Sequence, residues 1–207
     1  MIPVVKGWCT ESSIEVASTG IQIHGGVGFI EETGASQYLR DARITTIYEG
    51  TTGIQGNDLI GRKLAKEKSG PGATAKVLQR KIKVCVDELS RDKNLSDVGR
   101  QLGVALADLE TATEWMLENY DNNAQAAHAG AVPYLLLTGT VTGGWMMARA
   151  AQIAQRQIDA GSQDTFLQAK LATARYFAAH QLPKTMGYCS TITEGSDAVL
   201  SLDESLF

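Results

Sequence analysis

Apolar residues recur along this chain at intervals of three and four positions, the period of a helix that buries one face. From Val4 to His24 the series runs Val5, Trp8, Cys9, Ser12, Ile14 and Val16, then Thr19, Ile21 and Ile23, which predicts an amphipathic helix. That helix should stop in HGGVGF, where three glycines in four positions cannot continue it cheaply. A second helix is expected over about 33–43, with Ala35, Leu39 and Ala42 on its apolar side. The β-branched run ITTIY reads as extended or turn-like and leads to Glu49, and a third helix begins within GTTGIQGNDLIGRKLAKE and reaches about Lys66.

KSGPGAT, residues 68–74, carries glycine, proline and a flanking lysine and reads as a linker. Beyond it the helical spacing lengthens. Ala75 to Leu89 bears Val77, Leu78, Ile82, Val84, Cys85 and Leu89 on one side. Ser96 is an expected N-cap for a helix to about Tyr120, whose apolar positions include Val98, Leu102, Leu106, Leu109 and Met116. Further helices are predicted over about 132–160 and 164–180, and a short turn near 195–202. The expected fold is therefore all-α, in two parts: a first set of helices over 1–67, and 75–207 as a second, four-helix-bundle-like domain.

Composition changes this picture little. The chain has 207 residues, 43% hydrophobic and 20% charged, with only four prolines. A net charge of −4 without a long basic run argues against a nucleic-acid or anionic-membrane surface. The longest apolar stretch, AGAVPYLLLTGTVTGGWMMARAA, is interrupted by Pro133, Gly139, Gly143 and Gly144, so it reads as a buried bundle helix and not as a membrane span. Cys9, Cys85 and Cys189 are odd in number and widely spaced, which fits neither a disulfide framework nor a zinc site and favours a reducing, cytoplasmic setting.

One stretch has chemistry in it. Between Asp41 and Asp58 the only carboxylate is Glu49, set among a tyrosine, small hydroxylic residues and glycines. Other candidates read more simply. Glu110, Glu114 and Glu118 recur every four residues, as on a solvated helix face, and Glu31 with Glu32 should be exposed. His128 and His180 have no partner motif, while His24 beside the glycines is open to either a ligand or a helix-end role. Trp115, Trp145, Met146 and Met147 fall at core spacing.

The stretch QIHGGVGFIEETGASQYLRDARITTIYEGTTGIQGNDLIGRKL resembles the C-terminal signature of the acyl-CoA dehydrogenase family. Three parts agree in order and spacing: Gln22 with Gly25, Gly26, Gly28 and Phe29; then Arg40 and Asp41; then Ile47, Tyr48, Glu49, Gly50 and Thr51. The helical extension, together with VKGWCTE and IYEGTTGIQGNDLIGRK, is similar to the branch that includes 3-methylmercaptopropionyl-CoA dehydrogenases. Seen against that family the chain resembles a fragment, the end of the catalytic bundle plus an extension. The segments that carry most flavin and acyl-chain contacts would lie upstream.

The resemblance implies a function. Glu49 would remove the α-proton of an acyl-CoA thioester while the β-hydrogen leaves as hydride to FAD. Such a base needs a dry site, and Ile47, Tyr48 and Ile54 are expected to wall it. The Glu49 N–H would meet the thioester carbonyl, an effect worth about 3–4 kcal/mol per donor. Gly50 would let substrate approach the backbone. Gln22, Gly25, Gly26 and Thr51 match flavin contacts, the first three along the adenine and pyrophosphate half. Gly53 departs from a glutamine common in the family, which puts that adenine contact in doubt. Arg62 resembles a residue near the CoA end in some members, or is a solvated helix arginine. The resemblance also implies an electron-transfer flavoprotein as acceptor and a homo-oligomer, dimer or tetramer. An acyl-CoA oxidase-like enzyme and a non-catalytic helical assembly module are the alternatives.

Overall fold

Local chemistry sets where each helix starts and stops. The structure, a computed structural model, describes residues 1–206. The first helix, α1 (Ile2–His24), carries Pro3 in its opening turn, where a missing N–H is no loss, and ends at Gly25 with φ 65°. A short α2 (Gly26–Phe29) and a 3₁₀ turn (Glu31–Thr33) reverse the chain into α3 (Ala35–Thr45). After a turn, α4 (Thr52–Ile60) starts on the Thr51 hydroxyl, which accepts from the Ile54 N–H at 3.3 Å, and continues through a π-turn at Gly61–Ala65. Then follow α5 (Ala73–Ser90), α6 (Ser96–Asn122), α7 (Ala124–Ala129), α8 (Ala131–Asp159), α9 (Thr165–His180), α10 (Lys184–Glu194), α11 (Ser196–Leu200) and a 3₁₀ turn at Glu204–Leu206. Among the described residues there is no strand, and the protein is all-α. None of these helices is long and apolar enough to cross a membrane.

The axis of the packing is α8, against which α1, α4, α6, α9 and α10 all lie. Its Leu135, Leu137, Val141, Ala148 and Ala151 are fully buried, as are Ile82 and Leu89 of α5 and Leu102 of α6. Each such Leu or Ile stabilises by about 1.5–3 kcal/mol relative to exposure. Val4, Leu59, Ile60 and Leu64 belong to the same apolar cluster, so the first segment is welded to the long helices. Glycine makes that weld possible. A Cβ at Gly139 would overlap the Trp8 ring, one at Gly7 would sit 2.8 Å from Leu135, and one at Gly56 would sit 3.0 Å from the Ala131 carbonyl. Two interruptions in the apolar stretch, Gly139 and Gly143, are thus where α8 lets Trp8 of α1 approach, while Gly144 makes room for Leu182 and α4 approaches through its own Gly56. Pro133 does not break the helix, because it falls in the first turn.

Several expectations need correction. Ser96 is the first helical residue and not the cap; the cap position is Leu95, with no side-chain capping bond. Ile44 and Thr45 are helical, so α3 consumes the start of ITTIY and only Thr46 to Tyr48 turn. The tail holds a full helix, α10, where only a short turn was expected. Its Thr- and Ile-containing sequence has modest intrinsic propensity, and tertiary burial of Thr185 and Ile192 decides the matter.

Candidate active site

The turn between α3 and α4 is built from a few bonds. The Thr52 N–H donates to the Thr46 carbonyl at 3.3 Å and closes the loop that holds residues 47–51. Gln55 Nε2 reaches back to the Glu49 carbonyl at 3.3 Å. From α1, Lys6 Nζ donates to the Gly50 carbonyl at 2.6 Å, and the Thr52 hydroxyl donates to Glu11 Oε1 at 2.6 Å.

Inside this frame the backbone is unusual. Glu49 has φ 54° and is the only non-glycine among the described residues with a positive φ. A left-handed glutamate is strained, and such strain persists only where the surroundings over-determine it. Gly50 follows at φ 91°, and a Cβ there would stand 2.9 Å from Gln55 Nε2. The N–H groups of Glu49, Gly50 and Thr51 find no acceptor among the described residues. Successive N–H groups without a protein acceptor are what a negatively charged oxygen needs wherever they converge. The Glu49 carboxylate is exposed and makes no ion pair among the described residues. Its expected wall is only half made: Ile47 is 49% exposed, Tyr48 51% and Ile54 59%. This chain alone does not dry the carboxylate.

The other predicted residues lie elsewhere. Gln22, Gly25 and Gly26 are exposed at the far end of α1. Sixteen residues of helix separate Gln22 from Lys6, roughly 24 Å at 1.5 Å per residue. The structure does not bring these glycines to Glu49. Around Gly25 and Gly26 the backbone is open, with nothing within 4 Å of where a Cβ would stand. Gly28 differs: its Cβ would lie 2.5 Å from the Ile21 carbonyl, so it is required for the fold-back onto α1. Thr51 caps α4 yet keeps its hydroxyl proton free to donate. Arg62 is paired with Asp58 at 2.6 and 3.0 Å, which holds the Asp58 carboxyl below its usual range, and it borders a cavity of about 680 Å³ floored by Leu59, Leu64 and Tyr134.

Two histidines contact neighbouring side chains: His128 Nδ1 lies 2.9 Å from Asn57 Oδ1, and His180 stacks on Tyr176 with centroids 4.6 Å apart, while His24 is the exposed last residue of α1. Glu31 is exposed and meets Arg40 in a bidentate pair at 2.8 and 2.9 Å. Lys6, Glu11 and Gln55 were not anticipated as site residues. A signal existed for the first two, since α1 holds only three residues of formal charge, Lys6, Glu11 and Glu15. Each of the three binds another element, Glu15 pairing with Lys184 at 3.4 Å.

Residues 1–64 match the family described as acyl-CoA dehydrogenase, C-terminal domain, and residues 71–203 match acetyl-CoA dehydrogenase C-terminal like. The chain belongs to the acyl-CoA dehydrogenase family. It is 42% identical over 202 residues to the 3-methylmercaptopropionyl-CoA dehydrogenase of Ruegeria pomeroyi, covering 97% of this chain and 34% of that protein. The broad-specificity linear acyl-CoA dehydrogenase FadE5 of Mycobacterium tuberculosis is 31% identical over 217 residues, covering all of this chain and 35% of that protein. The caffeyl-CoA reductase-Etf complex subunit CarC of Acetobacterium woodii is 38% identical over 63 residues, 30% of this chain and 17% of the subunit. The chain thus spans about a third of the length of the two relatives that match it throughout.

Proposed function

We propose that this chain supplies the C-terminal helical part of a flavin-dependent acyl-CoA dehydrogenase, with Glu49 as the base that removes the α-proton of an acyl-CoA thioester. The observation that carries the reading is the strained turn: the carboxylate that the family signature marks is the residue held at φ 54°, beside three unpaired N–H groups. Thioester binding would set the carbonyl oxygen against those donors, with the Glu49 N–H foremost. Charge that develops on that oxygen as the α-proton leaves is stabilised without any reorganisation of the turn. Gly50 would let the thioester approach the backbone on the side away from Gln55, whose Nε2 takes the place of a Cβ.

FAD fits the residues present in part. The open backbone at Gly25 and Gly26, with exposed Gln22, suits the adenine and pyrophosphate half, and the Thr51 hydroxyl is free to donate nearer Glu49. When bound, FAD supplies the acceptor for the β-hydrogen. The distance between the two groups along α1 calls for an extended cofactor, or for one shared between copies in a homo-oligomer. Apolar side chains left exposed on the first three helices, Val16, Ile23, Phe29 and Tyr38 among them, support such an assembly. Arg62 stands beside a basic-rimmed cavity with Lys63, Lys66 and Lys68, where a CoA phosphate would be tolerated, although its present partner is Asp58.

The likeness to a subunit of a reductase-Etf complex favours an electron-transfer flavoprotein as acceptor. Free Cys9, Cys85 and Cys189 suit a reducing, cytoplasmic compartment. The proposed division is residues 1–67 as the last catalytic helices, 68–74 as connector and 75–207 as extension. The deciding experiment is Glu49→Gln in the full-length enzyme, read as turnover and as flavin and acyl-CoA binding.

A further inference from the structure

We infer that Lys6 is a positioning residue: its ammonium on the Gly50 carbonyl holds the Glu49 turn in its reactive shape, with Glu11 fixing the start of α4. The inference rests on the reading of Glu49 given above.

Lys6 is partly buried, forms no ion pair among the described residues, and spends its charge on one carbonyl at 2.6 Å. A lysine ordinarily meets a carboxylate or stays in water. Ordering its long side chain for a single backbone acceptor is worthwhile only if that peptide must not move. The Gly50 carbonyl shares its peptide plane with the Thr51 N–H, one of the three unpaired donors. Pinning the oxygen therefore aims that N–H, and a cation on the oxygen polarises the peptide and strengthens the donor. Gln55 Nε2 fixes the neighbouring plane through the Glu49 carbonyl at 3.3 Å. Both planes that flank Gly50 are thereby set, and the Thr52 bonds to the Thr46 carbonyl and to Glu11 close the loop, so the turn that carries the left-handed φ at Glu49 has little room to relax. The same helix buries Val4 and Gly7 against the core on other faces, so the staple is anchored to a rigid element.

The test uses the full-length flavoenzyme with Lys6→Met, which keeps the length of the side chain and removes the donor, and Lys6→Arg, which restores it. Lys6→Met should lower kcat about 10- to 100-fold, since small misplacements of a reacting group cost that much. KM for an acyl-CoA should stay within about twofold, and the flavin absorbance should not change. Hydrogen exchange at the Thr52 and Gln55 amides should rise at least about tenfold while α5 and α6 amides hold. Lys6→Arg should recover most of both. Unchanged kcat and exchange in Lys6→Met would overturn the inference. A raised KM at unchanged kcat would overturn it too, making Lys6 a substrate contact. Wild-type turnover in Glu49→Gln would retire the base assignment, and the exchange comparison would then decide Lys6 alone.

Discussion

A glutamate in the left-handed region costs roughly 1–3 kcal/mol relative to an unstrained backbone, and a folded chain keeps such a residue only when its neighbours enforce it. Here the bonds that tie the turn are Lys6 on the Gly50 carbonyl, Gln55 on the Glu49 carbonyl, and Thr52 on Glu11 at the start of α4. The strain aims a carboxylate and a set of donors together, which is what deprotonating carbon beside a thioester requires. Glu49→Gln keeps the side-chain volume and every N–H in the turn but cannot accept a proton. Turnover of the full-length enzyme should fall by about 10⁴-fold, the upper end for a general base, because no second carboxylate stands in the turn to replace it. The loss should fall on kcat and leave acyl-CoA affinity nearly intact, since the base acts only as the proton moves. A variant that retained a tenth of wild-type kcat would send the search for the base elsewhere.

Helices meet here through missing side chains. At Gly139 a Cβ would overlap Trp8 of α1, at Gly143 it would sit 3.0 Å from the same ring, and at Gly20 it would meet nothing within 4 Å. These distances rank three alanine substitutions. Gly139→Ala should destabilise by about 1–3 kcal/mol, the usual cost of overpacking. Gly143→Ala should cost less, because the ring edge needs to yield only a few tenths of an ångström. Gly20→Ala should stabilise by up to about 1 kcal/mol from helix propensity alone. Thermal unfolding of the three variants gives the order; Gly139→Ala as stable as Gly20→Ala would mean that Trp8 is not seated as described. The same glycines show what the sequence could and could not tell. Period and turn chemistry located α1, α5, α6, α8 and α9 to within a few residues, because each buries a long apolar stripe. They could not show that Gly139 and Gly143 face Trp8, since the partner lies more than a hundred residues away. The short α7 and the polar α10 escaped because tertiary burial, and not pattern, forms them. At the site, the family signature and the lack of competing acids point to Glu49 as the proposed base. Its φ, its free N–H groups and its ties to Lys6 and Glu11 were not legible, because they arise only when α1 lies across the turn.

For the whole molecule the question is how much of an enzyme these helices make. One core runs through both parts, with Val4, Leu59, Ile60 and Leu64 packed among the residues of the long helices, so the chain should fold cooperatively. Chemistry asks for more than folding. A carboxylate that abstracts a carbon-bound proton must be desolvated, and Glu49 is exposed with Ile47, Tyr48 and Ile54 each about half open to solvent. A flavin ring must also be held against the substrate, and Gln22, beside the open glycine edge at the end of α1, lies roughly 24 Å from Lys6 by helical rise, too far to seat the ring there. The purified chain mixed with FAD, an acyl-CoA and a dye acceptor should therefore stay colourless after desalting and show no turnover, because half a site gives neither orientation nor dryness. Circular dichroism in the same sample should still report helix, which separates an incomplete site from an unfolded chain. Measurable dye reduction by these residues alone would mean that the turn is dried and the ring is held by groups within this chain, and the division of labour argued here would be wrong.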